Sequence, residues 1–141
     1  MRSAAARRGA HELTMHHSLL FVDDQPSLLN AVREFFLLRG FSVDCATELE
    51  EAQALIDCRD YSLVVCDVAL KGVRDAEGFE VISHIRSLSP QTKIIVLTGC
   101  PPATIVDLAE EWHVDCVLTK PQPLPVLAAA IERLLTGETP H

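Results

Sequence analysis

Five short apolar runs, separated by longer amphipathic stretches, constrain the fold of this chain more than any other sequence feature. Most of the runs are apolar at successive positions and rich in Val, Ile, Leu and Phe, and each is too short for a stable helix. Such runs are typical of strands that are buried on both faces of a parallel sheet. The predicted strands are Ser18–Val22, Phe41–Cys45, Leu63–Cys66, Ile94–Leu97 and Cys116–Leu118.

The stretches between these runs carry apolar residues at helical spacing. In the first stretch, Leu28, Val32 and Phe35 recur on one face, and Gly40 follows as a stop signal. Strands that alternate with helices through right-handed crossovers form a doubly wound α/β fold, with helices on both faces of the sheet. The predicted helices are Pro26–Arg39, Glu48–Cys58, Gly78–Leu88, Pro102 to about Trp112, and Pro125–Leu135.

The charge balance argues against one broad class of function. The chain has 12 Lys and Arg against 20 Asp and Glu, a formal net charge of −8. The first 17 residues hold three arginines and one glutamate, so the remainder has a net charge of −10. An acidic domain is a poor nucleic-acid binder, because Lys and Arg contacts to phosphate supply most of that affinity. The same balance suits a protein that gathers carboxylates around a divalent cation.

The length of 141 residues fits one domain. We predict that residues 1–17 form a disordered N-terminal extension, 18–136 the domain and 137–141 a short tail. No apolar run approaches the roughly 20 residues needed to span a bilayer, and the extension lacks the apolar stretch of a secretory signal. We therefore expect no membrane association.

The cysteines favour a reducing compartment, which we take to be the cytoplasm. Their number is odd and no CxxC motif occurs, so the sequence indicates neither a zinc site nor a disulfide framework. Several lie inside apolar runs, where a free cysteine acts as a small core residue. The five are Cys45, Cys58, Cys66, Cys100 and Cys116.

Polar residues follow four of the predicted strands. They are Asp23-Asp24 after the first strand, Asp67 after the third, Thr98-Gly99 after the fourth and Thr119-Lys120-Pro121 after the fifth. Ligands of doubly wound sheets bind beyond the carboxyl ends of the strands. Carboxylates gathered there would repel one another, and a hard divalent cation such as Mg²⁺ relieves that repulsion. Taken singly, each aspartate could instead be a turn residue, and the lysine a solvated surface charge.

Together these segments resemble the receiver domain of bacterial two-component response regulators, including the stand-alone receivers of chemotaxis. The resemblance extends from about Leu19 to Leu135 and implies the flavodoxin-like fold with strand order 2-1-3-4-5. It is carried by Leu19–Asp24, Val64–Asp67, Ile94–Gly99 and Leu118–Pro121.

The resemblance implies a metal site and a phosphoacceptor. Asp67 would accept the phosphoryl group as an acyl phosphate. Asp24 and Asp67 would bind Mg²⁺, or Mn²⁺, through their side chains, and Asp23 would reach the metal through water. Ala69 would contribute only its backbone carbonyl.

The resemblance also implies roles at the last two strand ends. Lys120 would pair with one phosphoryl oxygen as a point charge, and Thr98 would hydrogen-bond another. The peptide bond before Pro121 would be cis, which proline permits at low cost. Val117 occupies the position where receivers usually carry a Tyr or Phe that moves with the threonine, so the usual coupling is not expected here.

The segment that follows the phosphoacceptor departs from the family pattern. Receivers usually carry a proline shortly after this aspartate, then a glycine that opens the third helix. Lys71 stands in place of that proline, and we assign the helix-opening glycine to Gly78. Lys71–Glu77 is therefore predicted to be a loop insertion beside the phosphorylation site.

These features predict a phosphorylation-dependent signalling switch in a phosphorelay. A histidine kinase or a histidine-phosphotransfer protein would supply the phosphoryl group, and output would be by contact with a downstream protein. We expect no DNA binding by this chain and no enzymatic activity beyond its own phosphorylation and dephosphorylation. A stand-alone protein and a piece of a larger regulator or hybrid kinase both fit. Two alternatives remain: a degenerate receiver acting as a scaffold, and an aspartyl-phosphate phosphatase, which Ala69 disfavours because such enzymes need an acid at that position.

Overall fold

The computed structural model describes residues 17–68, 73–99, 110 and 113–137, with the backbone alone described at 68 and 73–79. Five strands form one parallel sheet with the order β2-β1-β3-β4-β5. This arrangement confirms the predicted doubly wound fold. The strands are β1 (Ser18–Val22), β2 (Ser42–Ala46), β3 (Leu63–Val68), β4 (Lys93–Thr98) and β5 (Cys116–Thr119).

The described residues include four helices. They are α1 (Pro26–Leu38), α2 (Leu49–Cys58), α3 (Val73–Leu88) and α4 (Leu124–Thr136). The predicted helix from Pro102 to Trp112 lies outside the described residues, apart from Glu110, which is helical. Within the described part of the chain, no helix combines the length and the apolar character needed to cross a membrane.

The start of α3 corrects one prediction. The helix begins at Val73 and not at Gly78, so Val73–Glu77 is helical and does not belong to a loop insertion. Arg, Ala and Glu favour helix, and an interior glycine costs only about 1 kcal/mol, so a glycine need not mark the first turn. The start of the predicted insertion, Lys71 and Gly72, lies outside the described residues.

Alternate residues of each strand face two separate hydrophobic cores. The first core lies between the sheet and the helices α1 and α4, and Phe36 at its centre contacts the rings of Phe21 and Phe41 at centroid distances of 5.3 and 5.8 Å. The second core lies between the sheet and the helices α2 and α3, where Ala52, Ile56, Val81, Ile82 and Ile85 are buried. Burial on both faces is the physical reason that the strands are apolar at successive positions.

The cysteines only partly match their predicted place in the core. Cys66 is fully buried, and burial raises its pKa to about 12. Cys45 and Cys116 are half-buried beside the first core, whereas Cys58 is exposed at the end of α2. Cys100 lies outside the described residues.

The sheet contacts begin one residue before the predicted domain boundary. His17 Nδ1 lies 2.7 Å from the Ser62 hydroxyl, and the His17 carbonyl accepts a hydrogen bond from the Ser42 amide at 3.2 Å. His17 therefore bonds to residues at the starts of β2 and β3, at the end of the sheet opposite to the predicted site.

Arg86 joins α3 to the amino-terminal ends of β4 and β5. Its guanidinium donates hydrogen bonds to the carbonyls of Pro90, Thr92 and His113 and to the Asp115 carboxylate, at 2.8 to 3.2 Å. The same Asp115 oxygen accepts the Ile94 amide at 2.8 Å. His113 has a left-handed φ of 54°, so this cluster also holds a residue in a disfavoured conformation.

We expect Arg86→Met to destabilise the fold by about 2 kcal/mol, because it leaves three carbonyls, one of them part-buried, and one carboxylate without their donor. The matched control is Arg39→Met, since Arg39 pairs with Glu132 at 2.7 Å on the surface and should contribute less than about 1 kcal/mol. Urea unfolding of the metal-free protein measures both changes. Equal losses in the two variants would contradict this role for Arg86.

Candidate functional site

Asp23 is fixed at the point where β1 turns into α1. Its amide donates to the Ala46 carbonyl at 3.0 Å, and its Oδ1 accepts the Gln25 amide at 2.9 Å. Aspartate commonly bonds the backbone two residues ahead in this way. The side chain is only 6 % exposed, so the turn holds a buried carboxylate at the edge of the sheet. Asp24 follows it and is exposed.

Asp67 lies on the neighbouring strand β3, and its side chain is 14 % exposed. Because β1 and β3 are adjacent and parallel, their carboxyl ends meet at one edge. Asp23, Asp24 and Asp67 each bring a carboxylate oxygen within 4.8 Å of the others. The described residues therefore include one compact group of three carboxylates, as the sequence predicted for this edge.

Lys120 extends into this group from the end of β5. Its Nζ lies 3.0 Å from Asp23 Oδ2 and 3.0 Å from Asp67 Oδ2. Its amide donates to the Thr98 carbonyl at 2.8 Å, which continues the ladder between β4 and β5, and its peptide bond to Pro121 is cis. We call Asp23, Asp24, Asp67 and Lys120 the carboxylate–lysine cluster.

For Asp67 and Lys120, burial and the oppositely charged partner shift the pKa in opposite directions. Burial raises the pKa of Asp67 above its ordinary value of 3.8, and the negative charge of Asp23 adds to that effect, whereas the Lys120 ammonium opposes it. For Lys120, burial lowers the pKa, but the bonds to Asp23 and Asp67 outweigh burial and the pKa is raised overall. The lysine therefore stays charged between two carboxylates.

The charges of the cluster do not balance. Three carboxylates face one ammonium, so the cluster has an excess of negatively charged groups at this edge, and one of them, Asp23, is buried. Hard oxygen donors with excess negative charge are the ligands that Mg²⁺ and Mn²⁺ prefer. The donor set therefore fits a divalent cation of this class.

The other predicted site residues occupy the following places. Thr98 is fully buried at the end of β4, in register with Val68 on one side and Thr119 on the other. Val117 is half-buried and packs against the second core. Ala69 lies outside the described residues.

The sequence prediction missed Gln122. Its side-chain nitrogen donates to the Thr119 carbonyl at 2.8 Å and lies 3.5 Å from the Thr119 hydroxyl. The only signal in the sequence is the pair of prolines on either side of it, Pro121 and Pro123, which cannot donate backbone hydrogen bonds and so leave that task to a side chain.

Comparison with known proteins agrees with this geometry. A family described as the response regulator receiver domain matches residues 19–132. The transcriptional regulatory protein TcrA of Mycobacterium tuberculosis is 31% identical over 116 residues, which cover 82% of this chain and 45% of that protein. The chain spans about half the length of the curated relatives that it matches.

Solved structures share the fold. A CheY-like receiver domain protein from Methanospirillum hungatei superposes with a TM-score of 0.76 at 24% identity, over 86% of this chain and 95% of that one. The response regulator TrrA of Thermotoga maritima, solved in complex with Mg²⁺ and BeF, superposes with a TM-score of 0.69 at 29% identity, over 84% and 98% of the two chains. The sheet order, the cluster at its edge and the family match over most of the chain agree, and the chain belongs to the response regulator receiver domain family.

Proposed function

We propose that this chain is a phosphorylation-dependent switch that accepts a phosphoryl group from a phosphohistidine onto Asp67. The donor would be a histidine kinase or a histidine-phosphotransfer protein of a two-component system. The observation that carries this proposal is the Lys120 ammonium at 3.0 Å from both Asp23 and Asp67, inside a receiver domain.

Asp24 and Asp67 would hold Mg²⁺, or Mn²⁺, through their carboxylates, and Asp23 would contact it through water. The indirect contact of Asp23 is supported by its geometry, because one oxygen already accepts the Gln25 amide and the other the Lys120 ammonium. The backbone carbonyl of Ala69 would complete the protein ligands. When bound, the cation would neutralise charge on the transferring phosphoryl group. The bound Mg²⁺ in TrrA supports the same kind of site here.

Asp67 would act as the nucleophile. One of its oxygens would form a bond to phosphorus while the bond from phosphorus to the histidine nitrogen breaks and its electron pair returns to the imidazole. Lys120 would pair with a phosphoryl oxygen, and the Thr98 hydroxyl would hydrogen-bond another. Phosphoryl transfer needs positioning and charge neutralisation more than covalent work by the protein, and a fixed ammonium between two carboxylates supplies both.

Output would be by contact with a downstream protein in the cytoplasm. The acidic charge of the chain disfavours direct DNA binding, although relatives such as TcrA are named as transcriptional regulators. The described cysteines are free thiols, which supports a reducing compartment. They are Cys45, Cys58, Cys66 and Cys116. As a receiver, the chain would be a regulatory domain and not an enzyme acting on other substrates.

One observation favours a second function. Val117 stands where receivers usually carry an aromatic ring, and it packs into the second core. A β-branched valine has few rotamers and no ring to expose. A receiver that has lost its switching and acts as a phosphorylation-independent scaffold is therefore the alternative that phosphorylation experiments must exclude.

Incubation with Mg²⁺ and acetyl phosphate should add the mass of one phosphoryl group to the intact protein. Asp67→Asn should abolish the adduct, and omission of the metal should reduce it strongly, because the nucleophile or the charge neutralisation is lost. Asp60→Asn, which changes an exposed aspartate outside the cluster, should phosphorylate normally. Wild-type protein that binds Mg²⁺ and gains no phosphoryl group would support the scaffold.

Mg²⁺ binding should weaken as the pH falls, and should begin to do so at a higher pH than with an exposed aspartate as ligand, because the raised pKa of Asp67 lets a proton compete with the metal. Asp67→Asn should weaken binding at neutral pH by at least about tenfold and remove most of the pH dependence. Titration calorimetry at constant ionic strength measures both effects, with Asp60→Asn as the control. The same affinity and the same pH dependence in Asp67→Asn as in the wild type would contradict the assignment of Asp67 as a metal ligand.

A further inference from the structure

We infer that Gln122 is a positioning residue that holds Lys120 in place for phosphoryl transfer. This inference rests on the proposed function, since it assigns a residue to the same site. The described hydrogen bonds of the Gln122 side chain go to Thr119, so Gln122 acts through the backbone at the end of β5.

The peptide group between Thr119 and Lys120 is held from both sides. Its N–H, which belongs to Lys120, donates to the Thr98 carbonyl at 2.8 Å and faces β4. Its C=O, which belongs to Thr119, accepts the Gln122 side chain at 2.8 Å. The N–H and C=O of a trans peptide point in opposite directions, so the two bonds fix this plane against rotation and sliding.

The chemistry of the contact sets the orientation of the Gln122 amide. A carbonyl oxygen only accepts hydrogen bonds, so the group that faces Thr119 must be the NH₂. The NH₂ also lies 3.5 Å from the Thr119 hydroxyl oxygen, which can accept a second, weaker bond. Glutamate at position 122 could not make this contact, because it would place a carboxylate against the carbonyl.

The neighbouring backbone offers no substitute for this side chain. Pro121 and Pro123 have no N–H groups, and β5 is the edge strand, with β4 as its partner in the sheet. The first backbone bonds after the turn run from Val126 and Leu127 to the Pro123 carbonyl and belong to α4. The Gln122 side chain is thus the described contact that ties this turn back to the end of β5.

The position of Lys120 depends on that restraint. Its Nζ must reach Asp23 and Asp67 at 3.0 Å at the same time, so a shift of its backbone would break one contact or both. Asp67 is held within β3, and Asp23 is held after β1 by its bonds to the Ala46 carbonyl and the Gln25 amide, so neither position depends on the turn after β5. Loss of the Gln122 contact should therefore impair the lysine and spare the metal ligands.

We expect Gln122→Met, which keeps the side-chain length and removes the donor, to slow phosphorylation by acetyl phosphate about five- to tenfold. Mg²⁺ affinity should change by less than about twofold. Hydrogen exchange of the Lys120 amide should accelerate at least about fivefold, while the Asp115 amide, at the other end of β5 and bonded to Ile94, should keep its rate. The matched control is Gln91→Met, at an exposed glutamine beyond the opposite end of the sheet.

A double-mutant cycle separates positioning from general destabilisation. In a Lys120→Ala background, Gln122→Met should slow phosphorylation by no more than about an additional twofold. The reason is that the Lys120 ammonium, which Gln122 positions, is already absent. If Gln122→Met slows phosphorylation by the same factor in the wild-type and Lys120→Ala backgrounds, or leaves the exchange rate of the Lys120 amide unchanged, the inference is overturned. Wild-type protein that gains no phosphoryl group would overturn the proposed function, and the exchange rates would still show whether Gln122 restrains Lys120.

Discussion

One ammonium group between a buried and a half-buried carboxylate is the interaction around which this molecule is organised. Lys120 lies 3.0 Å from both Asp23 and Asp67, and these three residues come from three strands that are distant in sequence. Buried like charges are unfavourable unless a counter-charge meets them. The sheet satisfies this requirement through its order, which places the ends of β1 and β3 side by side, with β5 two strands further along. The remaining negative charge then becomes available to a divalent cation.

The two ends of the sheet are built differently. At the amino-terminal end, the Arg86 guanidinium ties α3 to β4 and to the turn before β5 through hydrogen bonds that are all satisfied within the protein. At the carboxyl end, the polar groups are concentrated charges with an excess of one sign. A hydrogen-bonded amino-terminal end and a charged carboxyl end suit a domain whose chemistry is confined to one edge of the sheet. The half-buried Val117 packs against the second core and has no aromatic ring that could move between buried and exposed positions.

Most of the sheet and the charged core of the site could be predicted from the sequence. Apolar runs such as Ser18–Val22 mark strands because both faces are buried. Asp23 follows β1 directly, and Asp67 is the last residue but one of β3, one residue beyond the end predicted for that strand. The start of α3 could not be predicted, because Gly78 resembles a helix-opening residue while helix-forming neighbours extend the helix to Val73. Gln122 was missed for another reason. Its structural role is one hydrogen bond to the Thr119 carbonyl. Such a bond depends on the path of the backbone through the turn and not on a pattern of neighbouring residue types.

We propose that the excess negative charge of the carboxylate–lysine cluster binds a divalent cation at that edge of the sheet and nowhere else. Addition of substoichiometric Mn²⁺ to ¹⁵N-labelled protein tests it directly, because the paramagnetic ion broadens nearby amide signals. We expect the amides of Asp24, Asp67 and Lys120 to broaden first, while those of Ser62, Lys93 and Asp115 at the opposite end of the sheet stay sharp. Mg²⁺ in excess should restore the broadened signals. Broadening that begins elsewhere, or that spreads evenly over the acidic surface, would show that the cation does not bind at this cluster.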